Sequence, residues 1–170
     1  MSDLFTETGA TFSECRQYRY RLWRYWDRTR PPLCFLMLNP STADDCSNDP
    51  TVERCQRRAL AMGFGGLEVV NIFAFRSTYP SDLLSISDPV GTENDQAIQD
   101  ACALAGMVIC AWGDHGKLMG RSDAVRALLA EAGVAIHTLA LNLSGEPKHP
   151  LYVAYDVAPT PVPGEDRVTL

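Results

Sequence analysis

Short apolar segments alternate with helical patterns along most of this chain, and this alternation restricts the fold more than any other feature. Four segments rich in branched and aromatic residues predict buried strands, at residues 33–38, 67–73, 107–112 and 134–141. Between them, apolar residues recur at helical spacing in residues 50–62, 92–105 and 122–132. Strands that alternate with helices favour a mostly parallel sheet with helices on both faces. The sequence therefore predicts an α/β fold with three layers, α/β/α.

Local signals predict where the helices begin and end. Asp49, followed by proline, predicts the N-cap and first turn of the first helix, and Gly63 predicts its end. Thr92 and Ser122 are predicted to cap the second and third helices. Three basic residues of the first helix are expected to form a solvated face: Arg54, Arg57 and Arg58.

The two ends of the chain lie outside this alternating pattern. Residues 15–26 alternate in polarity and predict a further strand, antiparallel and at the edge of the sheet, with an exposed arginine-rich face. The 170 residues suit a single domain, 1–170, with its core at about residues 12–155. Residues 157–170 are proline-rich and predict an irregular tail.

Composition excludes several classes of protein. No apolar run approaches the roughly 20 residues that a membrane-spanning helix needs, and the N-terminus lacks the features of a secretory signal, so we expect a cytoplasmic protein with no membrane partner. The net charge of −6 argues against strong non-specific DNA binding.

The cysteine pattern predicts neither a metal site nor a cofactor. The six cysteines form no C-x-x-C pair, and Cys34, Cys102 and Cys110 lie in apolar runs typical of a core. Among the cysteines, Cys46 and Cys55 are the one pair considered as candidate metal ligands.

Polar and aromatic residues follow each of the four predicted core strands. In open parallel sheets, ligands bind beyond the carboxyl ends of the strands, so these residues predict a pocket. Asn39, His149 and Asp44 are the candidate catalytic residues, with Asp44 as a candidate general base. The candidate ligand-binding residues are Pro40, Ser41, Asn71, Arg76, Trp112, Gly113, Lys148 and Tyr152.

Several of these residues also have a purely structural interpretation. Asn39 fits an Asx turn, Asn71 fits a buried hydrogen-bonding post and Trp112 fits a core ring. Asp44 fits a solvated loop. His149 lies between lysine and proline in a loop without apolar periodicity, which favours a role in the site.

The motifs resemble those of an uncharacterised bacterial family, a domain of unknown function. The segments that carry this resemblance are NPSTAD, DPT, VVNIFAFR, WG and G-x-P-K-HPLY, spread over residues 12–155. More distantly, they are similar to the strand-end motifs of the uracil-DNA glycosylase superfamily. That resemblance implies a glycosylase-like fold in which Asn39 positions water, Asn71 reads the base edge with Arg76 nearby, and His149 faces a base carbonyl.

Three functions remain open at this point. The first is hydrolysis of an N-glycosidic bond in damaged nucleic acid, with DNA as a partner. The second is an enzyme that acts on free nucleosides or nucleotides, and the third is a non-catalytic module that binds nucleobases or nucleic acid. A stripe of arginines beside the pocket favours the first, whereas dispersed arginines favour the second. A pocket that binds bases without reacting favours the third.

Overall fold

The structure is a computed structural model that describes residues 7–162. Its strands and α-helices follow one another as β1 Glu7–Phe12, β2 Arg19–Tyr25, β3 Pro32–Met37, α1 Pro50–Ala61, β4 Gly66–Asn71, α2 Asn94–Leu104, β5 Met107–Cys110, α3 Arg121–Glu131, β6 Ile136–Thr138 and β7 Thr160–Pro161. Short 3₁₀ helices lie in the connecting loops, at Pro80–Ser85, Asp114–Gly120 and Pro150–Tyr152.

The seven strands form one mixed sheet in the order β1-β2-β4-β3-β5-β6-β7. Strands β3, β4, β5 and β6 are parallel to their neighbours among these four, and along the chain an α-helix lies between each one and the next, as a parallel connection requires. Strands β1, β2 and β7 are antiparallel to their neighbours. The predicted α/β class with a mostly parallel centre is therefore confirmed.

Helices cover both faces of the sheet, and β3 shows why. Every residue of β3 is buried, and its side chains alternate between two separate apolar clusters. Phe35 packs in the cluster that contains Cys55 of α1. Leu36 packs in the other cluster, with Ile98 of α2 and Val125 of α3. Because successive strand residues point to opposite faces, helix α1 lies on one side of the sheet and α2 and α3 lie on the other.

The arginine-rich N-terminal strand was wrongly predicted to form an exposed edge. Strand β1 pairs outside β2, so β2 has a neighbour on each side. Arg19 and Arg24 of β2 are only 3% and 2% exposed. The guanidinium of Arg24 donates to the side chain of Asn48 and to main-chain carbonyls that include those of Asp44, at 2.8 Å, and Ser47, at 3.2 Å. These acceptors allow the charge to be buried, and the local sequence does not reveal them.

The helix-start predictions were right for α1 and wrong for α2 and α3. Asp49 caps α1 by accepting a hydrogen bond from the Val52 N–H at 2.8 Å. Helix α2 instead follows Glu93 without a side-chain cap, and α3 follows Gly120. Ser122 lies inside α3, where its hydroxyl donates to the buried carboxylate of Glu146. That carboxylate therefore engages the hydroxyl that was expected to cap the helix.

The expected solvated face of α1 is only partly solvated. Arg57 is exposed and pairs with Glu53 at 3.1 Å. Arg54, in contrast, donates to the carbonyls of Pro150 and Val153, and Arg58 donates to the carbonyls of Val153, Ala154, Tyr155 and Val157. Two arginines of α1 thus hold the segment of residues 150–157 against this helix.

The tail predicted to be irregular contains one short strand. Thr160 and Pro161 form β7 beside β6, and Val162 is buried. Residues 163–170, the rest of that predicted tail, lie outside the described residues. Within residues 7–162, no helix is both long and apolar enough to cross a bilayer.

Candidate functional site

A cavity of about 680 Å³ lies beyond the carboxyl ends of the parallel strands β3, β4 and β5. Its volume is in the range of small-molecule sites in proteins. Most of the predicted site residues line it: Asn39, Pro40, Ser41, Asn71, Trp112, Gly113, Lys148, His149 and Tyr152. The topology of the sheet therefore brings together motifs that are more than 100 residues apart in sequence, from residue 39 to residue 152.

Two predicted site residues, Asp44 and Arg76, do not line this cavity. The carboxylate of Asp44 accepts hydrogen bonds from the N–H groups of Cys46 and Ser47, at 3.0 and 2.8 Å, and these bonds lower the pKa of Asp44. Arg76 donates to the Arg16 carbonyl. Asp44 thus closes a loop, as its structural interpretation predicted, and Arg76 fastens the chain before β2.

Asn71 is the last residue of β4 and is only 2% exposed. Its main-chain carbonyl accepts a hydrogen bond from the side chain of Asn94 at 2.8 Å. Its own side-chain amide lines the cavity and has no hydrogen-bond partner among residues 7–162. The Asn71 amide is therefore available to a polar ligand, and the fold does not otherwise use it.

Asn39 connects the end of β3 to the loop after β4 through the Nδ2 atom of its side chain. Its Nδ2 donates to the Ser77 carbonyl at 2.8 Å and to the Pro40 carbonyl at 3.2 Å. These bonds join the end of β3 to the loop that follows β4. The Oδ1 atom accepts no hydrogen bond from the described residues, so the same contacts hold a free acceptor at the cavity wall.

His149 presents a defined tautomer to the cavity. Its Nδ1 accepts a hydrogen bond from the Leu151 N–H at 3.3 Å, so in the neutral ring the proton is on Nε2. Burial lowers the pKa of His149 below its ordinary 6.5, and the negative charge of Asp49 opposes this shift. The site therefore holds a neutral imidazole that can donate one hydrogen bond. Tyr152 lies at the mouth, 77% exposed, with its ring centroid 5.9 Å from that of His149.

Trp112 and Gly113 shape the wall of the cavity. The Trp112 Nε1–H donates to the carboxylate of Glu146 at 2.7 Å, so the polar atom of this ring is engaged by the protein. A Cβ atom on Gly116 would lie 2.1 Å from Cδ1 of Trp112, so only glycine allows this close approach. Gly113 has φ 74° and ψ −173°, a conformation essentially restricted to glycine. This pair therefore sets the shape of the site and adds no reactive group.

Two polar residues that line the cavity, Arg19 and Asp49, were not predicted to lie in the site, whereas Asp114, His115 and Asn142 belong to the loops that follow predicted strands. Arg19 lies there because β2 is antiparallel, so it begins at the edge where the parallel strands end. Asp49 caps α1 and also lines the cavity, as do His115, Asp114 and Asn142. Asp114 accepts a hydrogen bond from the Asn142 side chain at 2.9 Å and thereby connects the loops after β5 and β6. The alternation of arginine with aromatic residues in β2 is visible in the sequence. The register of β2 with β4, which places Arg19 at the cavity, is not.

The cysteine pair Cys46 and Cys55 is separated by burial. Cys55 is buried in the apolar cluster beneath α1, which raises the pKa of its thiol, whereas Cys46 is exposed. Potential ligand atoms of Asp44, Asp45 and Cys46 lie within 4.8 Å of one another, in a loop outside the cavity lining.

Comparison with known proteins identifies the family. The model of the family described as "Protein of unknown function (DUF1643)" matches residues 19–151. No curated protein and no solved structure matches the chain. The family match agrees with the first resemblance drawn from the motifs, and it spans most of the residues that line the cavity. The chain therefore belongs to the DUF1643 family of proteins of unknown function.

Proposed function

We propose that the cavity binds the base of a nucleoside or nucleotide and that the protein hydrolyses the N-glycosidic bond of this ligand. The observation that carries the proposal is the side-chain amide of the buried residue Asn71, which lines the cavity without a hydrogen-bond partner among residues 7–162. A carboxamide offers one acceptor and two donors in a plane, which complements the alternating donor and acceptor edge of a base. The cavity of about 680 Å³ is large enough for such a ligand.

His149 is the proposed hydrogen-bond donor to the departing base. When the bond between C1′ and the base nitrogen breaks, its electron pair goes to the base, and negative charge spreads onto the base oxygens. The Nε2–H of a neutral imidazole stabilises such charge without losing its proton. The hydrogen bond from the Leu151 N–H to Nδ1 supports this role, because it keeps the proton on Nε2.

Asn39 and Asp49 are proposed to act on the attacking water. The free Oδ1 of Asn39 accepts a hydrogen bond from the water and orients it. The water oxygen then bonds to C1′, and one of the water protons must pass to a proton acceptor of the protein. An amide cannot take this proton, whereas the carboxylate of Asp49 lines the same cavity. Asp49 thus takes the role first considered for Asp44.

The distribution of arginines favours a small nucleoside or nucleotide over a nucleic acid. Six arginines pair with acidic side chains: Arg21, Arg28, Arg30, Arg57, Arg121 and Arg126. Arg24, Arg54 and Arg58 donate to main-chain carbonyls. Arg16, Arg19 and Arg76 form no ion pair with the described residues, and of these three only Arg19 lines the cavity, while the net charge is −6. A long polyanion is poorly matched to such a surface.

Action on a base within nucleic acid is a second candidate, favoured by the mouth of the cavity. Tyr152 and Leu151 line the mouth, and Leu151 is 40% exposed. Exposed apolar and aromatic side chains of this kind insert between stacked bases in proteins that open a duplex. Binding of a free nucleoside does not require such side chains at the mouth.

Base release from a panel of substrates tests the proposal. The panel contains nucleosides, nucleoside monophosphates and uracil-bearing oligonucleotides, single-stranded or paired with guanine or adenine. We expect wild type and Arg57→Ala, a control on the exposed face of α1, to release base, and Asn39→Ala and His149→Ala to lose at least about 100-fold in rate, as single catalytic groups do. A folded wild type that binds bases but releases none would make this a binding module.

A further inference from the structure

Arg19 is a buried cation whose hydrogen-bonding groups the fold leaves mostly unused. It lines the cavity and is 3% exposed. Its Nη1 donates to the Ala43 carbonyl at 3.0 Å. Its Nε is buried without a partner, and its Nη2 makes no hydrogen bond with residues 7–162. A guanidinium carries five N–H donors, so most of those on Arg19 are unpaired.

Other buried arginines of the same protein are treated differently. Arg24, five residues further along β2, donates from all three of its nitrogens, to the Asn48 side chain and to main-chain carbonyls. Arg58 of α1 donates from both Nη atoms to carbonyls of residues 153–157. Neither of them lines the cavity. The Nε of Arg58 is also buried without a partner, but of these three arginines Arg19 is the one that leaves two nitrogens unpaired among the described residues and lines the cavity.

No carboxylate of the described residues forms an ion pair with Arg19. Its nearby acid is Asp49, whose charge raises the pKa of Arg19, but the two form no ion pair within 4.0 Å. Burial lowers the pKa of Arg19 to about 10, so the group stays charged at neutral pH. Burying an unpaired charge is costly, and natural proteins keep such groups where an anion binds.

We propose that Arg19 binds a phosphate group of the ligand, so that the substrate class is the nucleoside monophosphate. This inference rests on the proposed function, and it adds the part of the ligand that the base contacts do not specify. The planar guanidinium of Arg19 suits two oxygens of one phosphate through Nη1 and Nη2. Lys148 supplies a second positive charge in the lining, and its ammonium has no partner among the described residues.

The charges of the remaining lining are compatible with an anion in this position. The two carboxylates that line the cavity are those of Asp49 and Asp114. Asp49 is engaged by the Val52 N–H, and Asp114 by the side chains of Asn142 and Ser144. His115 adds a further basic group at the rim.

The test compares the affinities of a nucleoside, its monophosphate and a single-stranded oligonucleotide, measured by calorimetry for wild type, Arg19→Lys and Arg24→Lys. Arg19→Lys keeps the charge but loses the fork of donors. We expect wild type to bind the monophosphate about 10- to 100-fold more tightly than the nucleoside, the effect of one or two charge-assisted hydrogen bonds. Arg19→Lys should lose most of this preference, and nucleoside affinity should change less than about threefold. Arg24→Lys, equally buried on the same strand, should keep the preference.

Some outcomes overturn this inference, and another overturns the proposed function. Equal affinity for nucleoside and monophosphate in wild type overturns it, as does a preference that survives in Arg19→Lys. Tighter binding of the oligonucleotide than of the monophosphate also overturns it, because the phosphate bound by Arg19 then belongs to a nucleic acid. If no base-bearing ligand binds, the proposed function and the assignment to nucleoside monophosphates both fail, and the thermal shift caused by inorganic phosphate then tests only whether Arg19 binds phosphate. A shift in wild type that Lys148→Met reduces and Arg19→Lys abolishes supports that part of the inference, and no shift overturns it.

Discussion

The side chain of Asn94 donates to the main-chain carbonyl of Asn71 at 2.8 Å, yet the side chain of Asn71 has no partner among the described residues. Both residues are buried. One amide therefore serves the fold by holding the end of β4, and the other is held at the cavity wall without a structural bond. Such a division is expected when a site is maintained at a cost in stability.

Asn71→Leu should separate stability from binding. Removing an unpaired buried amide leaves the free energy of unfolding unchanged or raises it by up to about 1 kcal/mol, because no hydrogen bond is lost. Affinity for a nucleoside should fall at least about tenfold, the effect of one lost hydrogen bond of roughly 1.4 kcal/mol. Urea unfolding and calorimetry measure the two quantities.

The matched control is Asn94→Leu. This substitution removes the side-chain donor to the carbonyls of Asn71 and Ile72, and Ile72 keeps only the hydrogen bond from Arg121, so it should destabilise the protein by about 1–3 kcal/mol. Equal destabilisation by both substitutions would show that the Asn71 amide has a structural partner after all.

His149 should make function and stability depend on pH in the same direction. Its pKa is lowered in the folded protein, so the unfolded chain, with a pKa near 6.5, binds the proton more readily. The free energy of unfolding should therefore decrease as the pH falls from about 6.5 through the folded pKa. Base release should decrease over the same range, because a proton on Nδ1 faces the Leu151 N–H.

NMR titration of the His149 ring between pH 5 and pH 8 checks this expectation. His149→Gln provides the control for stability, because it should remove this part of the pH dependence. A ring that titrates above its ordinary 6.5 would contradict the expectation that burial lowers the pKa of His149.

Arg58→Ala should destabilise the fold much more than Arg57→Ala. Arg58 is 2% exposed and donates to carbonyls of residues 153–157, so its loss removes a buried side chain and leaves several part-buried acceptors without this donor, at about 2–4 kcal/mol in total. Arg57 is exposed, and the loss of its ion pair with Glu53 should cost less than about 0.5 kcal/mol. Urea unfolding of both variants provides the comparison, and equal effects would rule out this role for Arg58.

Gly116→Ala should disturb the wall of the cavity. The new Cβ would lie 2.1 Å from Cδ1 of Trp112, so the ring must move, and we expect a loss of about 1–3 kcal/mol together with a changed near-ultraviolet signal. Gly133→Ala is the control, because its φ of 73° imposes a backbone cost of about 1 kcal/mol without any side-chain contact. Its near-ultraviolet signal should match that of wild type.

The location of the cavity was predictable from sequence because it follows from periodicity and topology. Apolar runs fix the strands, helices between them make the strands parallel, and parallel strands end at one edge. Asn39, Asn71 and His149 were placed there by this reasoning, without knowledge of the strand order.

The residues that were missed depend on contacts distant in sequence. Whether Arg19, Arg24 or Arg58 is buried depends on which carbonyls reach it, and those belong to segments 20 or more residues away. The choice between Asp44 and Asp49 depends on how their shared loop folds, and the capping role of Asp49 concealed its position in the cavity. The burial of charged side chains is thus the feature of this fold that the local sequence predicts least well.

Calorimetric titration of wild type and Asn71→Leu with uridine monophosphate and with ribose 5-phosphate tests recognition of the base most directly. The account predicts that wild type binds the nucleotide at least about tenfold more tightly than the sugar phosphate and that Asn71→Leu binds both equally. Equal affinity of wild type for the two ligands, or an unchanged preference in Asn71→Leu, would contradict it.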